Sequence, residues 1–294
     1  MQKITPHLWF DKIARGAVEL YTGALPDSRV ESRTTLTQTP SGTVEIVVLT
    51  LAGQNIMCLF AGPEFKFTPA VSFSVSCSTK EETQTLWDKL STGGKVLMPL
   101  SAYPFSELYG WAEDRYGLSW QVMSAGEREI KQKITPTLMF TGANCGKAEE
   151  AIAFYSSVFG DAGLDDVMRY GRGEDPEKEG TVKYALFRLA GQNFAAMDSA
   201  RAHGFGFNEA ISFAVSCENQ DEIDRYWERL SADPRAEQCG WLKDKYGLSW
   251  QIVPAMMGEM MSKGSPEQIA RVTRAFLPMK KFNIAALMRA YEGE

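Results

Sequence analysis

The chain has 294 residues, 44% of them hydrophobic and 23% charged, and carries a net charge of −6. Those values describe an ordinary globular protein of about two domains and exclude a general nucleic-acid surface. No apolar run approaches the roughly 20 residues that span a bilayer, so no membrane partner is expected. The opening segment Met1-Gln2-Lys3-Ile4-Thr5-Pro6 lacks the apolar core of a signal peptide. Cys58, Cys77, Cys145, Cys217 and Cys239 are odd in number and form no CxxC pair, which fits a reduced, cytoplasmic chain.

In chain order, a strand through Leu8 and Phe10 comes first, followed by a short helix near Ala14 to Tyr21. Strands over 29–37 and 43–51 flank the turn signal Thr39-Pro40-Ser41-Gly42. Gly53-Gln54-Asn55 then turns the chain into a strand ending near Phe60. A strand over 71–76 leads to a helix that Ser78 is expected to cap, with Glu81 completing a capping box. Leu86, Trp87 and Leu90 give that helix an apolar face, and Gly93-Gly94 ends it. Strands near 95–100, 110–113 and 119–123 follow, so the order is βαβββ, twice over.

The whole pattern then returns. Lys3-Ile4-Thr5-Pro6 recurs as Lys133-Ile134-Thr135-Pro136, and Leu51-Ala52-Gly53-Gln54-Asn55 as Leu189-Ala190-Gly191-Gln192-Asn193. Val71-Ser72-Phe73 through Cys77 recurs as Ile211-Ser212-Phe213 through Cys217, where Asn219 and Glu222 take the capping parts. The longest match is Trp111-x-x-Asp114-x-Tyr116-Gly117-Leu118-Ser119-Trp120-Gln121 against Trp241-x-x-Asp244-x-Tyr246-Gly247-Leu248-Ser249-Trp250-Gln251. Asp and Gly there supply a tight turn between two strands. The chain thus reads as two copies of one domain, 1–125 and 132–255, with a helical extension over 256–294. The copies differ between helix and Trp motif: the segment from Ser231 to Trp241 is about ten residues shorter than that from Ser91 to Trp111. The longer one, with Tyr103-Pro104-Phe105, reads as a loop that covers a cleft or fills space. In the extension, Ser265-Pro266-Glu267 starts one amphipathic helix and Phe282, Ile284, Leu287 and Met288 belong to another.

These motifs together resemble the PhnB-like branch, labelled 3-demethylubiquinone-9 3-methyltransferase, of the glyoxalase/bleomycin-resistance/extradiol-dioxygenase (vicinal oxygen chelate) superfamily. The resemblance covers essentially the whole chain. It implies an α+β fold of two tandem glyoxalase-like domains. Paired βαβββ units form a cupped sheet around each cleft, and the tandem copies make an internal pseudo-dimer, with a further homodimer as an option. Catalytic members of the superfamily hold a divalent metal with His and Glu side chains, which makes a metal-dependent lyase, isomerase or dioxygenase one reading of the function.

The ligand positions carried over from that resemblance fall on Gln121 and Gln251, on Ala70 and Ala210, near Met57 and Met197, and on Thr5 or His7 against Thr135 or Thr137. One imidazole without a carboxylate makes no metal site, and an amide is a weak ligand. No metal and no cofactor is therefore expected, and a metal-free binder of a small aromatic or amphipathic molecule is the other reading. The glycine-rich strand-to-helix turn of a nucleotide-type methyltransferase is missing. The candidate ligand contacts are His7 with Gln121 and Trp111 in one cleft, and Thr137 with Gln251 and Trp241 in the other, the first pair being favoured. His203 reads as a solvated loop histidine, and the run Gly171–Gly180 as a mobile loop.

Overall fold

The computed structural model describes residues 2–160 and 164–294. The first copy contains β1 (Ile4–Phe10), α1 (Gly16–Ala24), β2 (Arg29–Thr39), β3 (Gly42–Leu51), β4 (Gln54–Phe60), β5 (Val71–Cys77), α2 (Lys80–Ser91), β6 (Lys95–Tyr103), β7 (Ser106–Glu113) and β8 (Ser119–Ser124). The second contains β9 (Ile134–Phe140), a 3-10 turn (Gly142–Asn144), α3 (Ala148–Phe159), β10 (Leu164–Arg169), β11 (Val182–Leu189), β12 (Gln192–Asp198), β13 (Ile211–Cys217), α4 (Gln220–Leu230), β14 (Trp241–Lys243) and β15 (Ser249–Pro254). Three helices follow, α5 (Met256–Lys263), α6 (Pro266–Phe276) and α7 (Ile284–Glu292). The first of these was not legible beforehand. No described helix is long and apolar enough to cross a membrane.

The strands form two mixed, curled sheets, and each sheet draws on both copies. One has seven strands in the order β14-β15-β13-β1-β4-β3-β2, and the other has eight in the order β10-β11-β12-β9-β5-β8-β7-β6. The joints are antiparallel. β1 of the first copy pairs with β13 of the second, with His7 opposite Ser212, and β5 pairs with β9, with Ser72 opposite Thr137. The compact units follow the sheets. One comprises Met1–Val18, Asp27–Lys66 and Asn208–Glu294, and the other Glu19–Pro26 and Phe67–Phe207. The expected partnership of His7 with Gln121, and of Thr137 with Gln251, is therefore corrected. His7 and Gln251 belong to the seven-stranded unit, and Thr137 and Gln121 to the eight-stranded one.

Each sheet carries the Trp-motif turn at one end, built on a buried aspartate. Asp114 Oδ1 accepts from the backbone N–H of Tyr116 (2.8 Å) and Leu118 (3.1 Å), and its Oδ2 accepts from Trp120 Nε1 (2.9 Å) and Tyr21 OH (2.7 Å). Asp244 repeats the pattern with Tyr246, Leu248 and Trp250 Nε1. The carboxylate closes the turn and fixes a fully buried indole in one stroke, which explains the Asp-to-Trp spacing of six residues. Burial pushes the Asp114 carboxyl above its ordinary value, against the pull of its four donors.

Local chemistry places the helices. Thr79, not Ser78, caps α2: its hydroxyl accepts from Glu82 N–H, and Glu82 reaches back to Ser78 N–H. Asn219 and Glu222 share that arrangement on α4, one residue later than the spacing expected in the first copy. The Tyr103-Pro104-Phe105 segment is the tip of the β6–β7 hairpin and fills space against Tyr109, the second of its two expected roles. The shorter second copy has no strand in the place of β6, and β14 is reduced to three residues at the sheet edge.

The final helices pack on the seven-stranded sheet. Leu36, Val44 and Ala61 form a buried cluster against Met261, Ile269 and Phe276. Backbone bonds from Cys239 N–H to Met279 O (2.7 Å) and from Gly240 N–H to Lys280 O (2.8 Å) tie the extension down. Gly240 has φ +82°, and a Cβ there would lie 2.6 Å from the Phe282 ring and 3.0 Å from Ile252 O.

Two outcomes follow from these contacts. Asp114→Ala strips four accepted hydrogen bonds and leaves Trp120 Nε1 buried without a partner, and is expected to cost about 3 kcal/mol or more in urea unfolding. Gly240→Ala is expected to loosen residues 276–294, seen as faster limited proteolysis there than in the remainder of the chain.

Candidate ligand-binding site

The seven-stranded unit holds a cavity of about 540 Å³ between the concave face of its sheet and helices α5 and α6. The strand pleat sends every second side chain of β1, β3, β4 and β15 into it. His7, Trp9, Met57, Leu59, Gln251 and Val253 reach it in this way, and Met257, Met261 and Phe276 close it from the helices. Trp241 stands over the floor, its ring 5.4 Å from His7 and at 89° to it, and 6.3 Å from Trp9. Phe65 meets the other side of Trp9 at 5.0 Å. The walls are thus aromatic and thioether-rich, the surface that favours a flat apolar guest.

Two polar side chains on the floor lack full partners. Gln251 is 8% exposed; its Nε2 donates to Ser212 Oγ (2.9 Å), and its Oε1 has no partner among the described residues. His7 is 3% exposed and makes no hydrogen bond to a described residue, and its Nδ1 is fully shielded. Burial pulls the His7 pKa down from 6.5 to about 3, so the imidazole is neutral across the physiological range. Charge is confined to the rim, where Glu209 pairs with Lys243 (2.7 Å) and Arg235 grips Asp233 (3.0 and 3.1 Å).

The corresponding floor of the eight-stranded unit is closed. Gln121 Nε2 donates to Ser72 Oγ (2.8 Å), the counterpart of the Gln251–Ser212 bond, but its Oε1 accepts from Tyr109 OH (2.9 Å). Tyr109 is 4% exposed and is packed by Tyr103 and Phe105, with ring centroids 5.6 and 5.0 Å away. Thr137 Oγ1 pairs with Ser74 Oγ (3.0 Å), and Trp111 Nε1 donates to Ser119 Oγ (2.8 Å). In the other unit Thr137, Ser74 and Tyr109 are replaced by His7, Ala214 and Cys239, and the last replacement removes the phenol that partners the glutamine oxygen. Tyr109 and Cys239 escaped the sequence reading. The available signal was Tyr-Gly-Trp against Cys-Gly-Trp, immediately before the motif that was read.

The positions onto which the resemblance carries metal ligands are Thr5 or His7, Met57, Ala210 and Gln251 in one unit and Thr135 or Thr137, Met197, Ala70 and Gln121 in the other. One imidazole among thioethers, amides, a hydroxyl and methyl groups does not fit a divalent cation. Among the described residues no group of three or more His, Cys, Asp or Glu side chains is placed to hold one. His203 is half-buried, its Nε2 2.8 Å from Ser199 Oγ, rather than solvated. The Gly171–Gly180 run is pinned rather than loose: Glu177 is buried and accepts from Ser199 Oγ (3.0 Å) and Ala200 N–H (2.6 Å).

Comparison with known proteins agrees with this architecture. The family model described as 3-demethylubiquinone-9 3-methyltransferase matches residues 2–123 and again 132–253. Among solved structures, the PhnB protein of Bacillus cereus is 39% identical, covering 42% of this chain and 100% of its own, with a TM-score of 0.40. A protein from Pseudomonas aeruginosa is 24% identical over 43% of this chain and 100% of its own, with a TM-score of 0.38. Glyoxalase I from Zea mays is 11% identical but covers 87% of this chain and 95% of its own with a TM-score of 0.52, a likeness of fold. No curated protein matches. With both repeats matched, the chain belongs to the PhnB-type family named for 3-demethylubiquinone-9 3-methyltransferase, on the fold of the glyoxalase/dioxygenase superfamily.

Proposed function

We propose that the protein binds a small, largely apolar and uncharged molecule, without a resident metal, in the cavity of its seven-stranded unit. The observation that carries this reading is the half-partnered Gln251 amide, whose Nε2 is bonded to Ser212 while its Oε1 has no donor, beside the neutral His7 imidazole on the floor of an aromatic cavity of about 540 Å³. A guest that donates to the open Gln251 oxygen adds a hydrogen bond in apolar surroundings, worth about 1 kcal/mol. The volume lies within the range of small-molecule sites. The low pKa of His7 and the ion-paired rim argue for a neutral guest, since an inserted charge would lose its hydration with no counter-charge beside it. Methyl transfer draws no support from the fold: both sheets are mixed, and no described strand-to-helix turn has the glycine-rich form of a nucleotide site.

Tryptophan emission tests the reading directly, because Trp9 and Trp241 line the cavity. Titration with neutral aromatic compounds is expected to quench emission and raise the melting temperature, a guest at 100 times its Kd adding about 2.7 kcal/mol. Ala214→Phe, which fills the floor, is expected to weaken binding by about tenfold or more while preserving the fold. Binding unchanged by that substitution would move the site elsewhere.

His7 also sets a pH dependence. Its folded pKa of about 3 lies below its ordinary 6.5, so the unfolded chain takes up a proton that the folded chain refuses. This contribution therefore lowers stability as pH falls from about 6.5 toward 3, by up to about 1.4 kcal/mol per pH unit. His7→Leu removes it. Urea midpoints of the variant are expected to fall less between pH 7 and pH 4 than those of the parent.

A further inference from the structure

We infer that the guest is a neutral phenol, an aromatic ring whose hydroxyl donates to Gln251 Oε1, and that Tyr109 is the built-in copy of that guest in the eight-stranded unit. The inference rests on the proposed binding function and narrows it to one ligand chemistry. The two floors are repeats of one another. In both, a serine on the neighbouring parallel strand accepts from the amide nitrogen of the glutamine, Ser72 at 2.8 Å and Ser212 at 2.9 Å. That bond orients each amide so that its oxygen faces away from the serine. In the eight-stranded unit the oxygen receives the phenolic O–H of Tyr109 at 2.9 Å, and the ring is held edge-on by Phe105 and Tyr103.

In the seven-stranded unit the same oxygen has no donor. The chain supplies Cys239 where Tyr109 stands, in a left-handed conformation (φ 50°), with its thiol turned to Leu277 O (3.4 Å). Aromatic rings nonetheless surround the open place: Trp241, Trp9 and Phe65, with Phe276 from above. An acceptor oriented for a hydroxyl and walls suited to a ring are the two halves of phenol recognition. A carboxylate or phosphate would set its negative charge against the Gln251 oxygen with no cation beside it, since Arg235 and Lys243 are committed at the rim. A hydrocarbon would leave that oxygen unpaired.

Three probes on one ring system separate these cases: 2-naphthol, 2-methoxynaphthalene and naphthalene, titrated against the full chain by tryptophan quenching and thermal shift. The expected result is that 2-naphthol binds at least about tenfold tighter than its methyl ether, the usual scale of one buried hydrogen bond. In Gln251→Leu the two should bind within about twofold of each other. The parent comparison needs no substitution and decides the matter even where the variant folds poorly. Equal affinity of the parent for 2-naphthol and its ether overturns the phenol assignment and leaves the cavity reading standing. Binding of none of the three overturns both.

Discussion

Strand edges govern how this molecule is assembled. Each repeat folds into two half-sheets, and each half leaves β1 or β5, or its counterpart β9 or β13, with an unsatisfied edge of backbone N–H and C=O groups. Such an edge must be paired or covered. The chain resolves this by antiparallel pairing of β1 with β13 and of β5 with β9, so that every sheet is completed by the other repeat. The site inherits the consequence. Its histidine comes from the first copy and its glutamine from the second, and neither repeat could form it alone.

Given that frame, the difference between the floors arises from few side chains. Gln121 and Gln251 hold the same strand position and the same serine partner. What separates them is whether the chain delivers a phenol of its own. The β6–β7 hairpin of the first copy places Tyr109 on the Gln121 oxygen and backs it with Tyr103 and Phe105. The second copy, about ten residues shorter there, lacks the strand that would do the same. Helices α5 and α6 pack on that unit instead and roof a volume that side chains do not fill. The difference between the two floors thus follows from a shorter segment and one ring fewer in the second copy.

The same floor explains why the fold of metal-dependent superfamily enzymes carries no comparable donor set here. A divalent cation needs carboxylates or several imidazoles to replace its water shell. His7 stands among Met57, Ala214 and Gln251, in surroundings so poorly solvated that even its own protonation is suppressed to about pH 3. An environment that hostile to one positive charge is equally hostile to a doubly charged ion without anionic ligands.

The sequence by itself determined the repeat, the βαβββ order and the turn chemistry, because these depend on neighbours a few residues apart. Asp114 and Gly117 announce their turn, Asn219 and Glu222 their cap, and the alternation of Ser119 to Val122 its strand. It also singled out His7, Gln121, Trp111, Thr137, Gln251 and Trp241 as cleft-facing candidates. It could not decide which of them meet. Strand alternation gives the face a side chain takes but not the strand that will lie beside it, and pairing inside one repeat satisfies that alternation as well as pairing across repeats. Only the tertiary structure decided that His7 lies on the sheet of Gln251, that Tyr109 partners the Gln121 oxygen, and that α5 and α6 roof the other floor. Those outcomes depend on hydrogen bonds and packing between segments tens to hundreds of residues apart, where no local periodicity carries information.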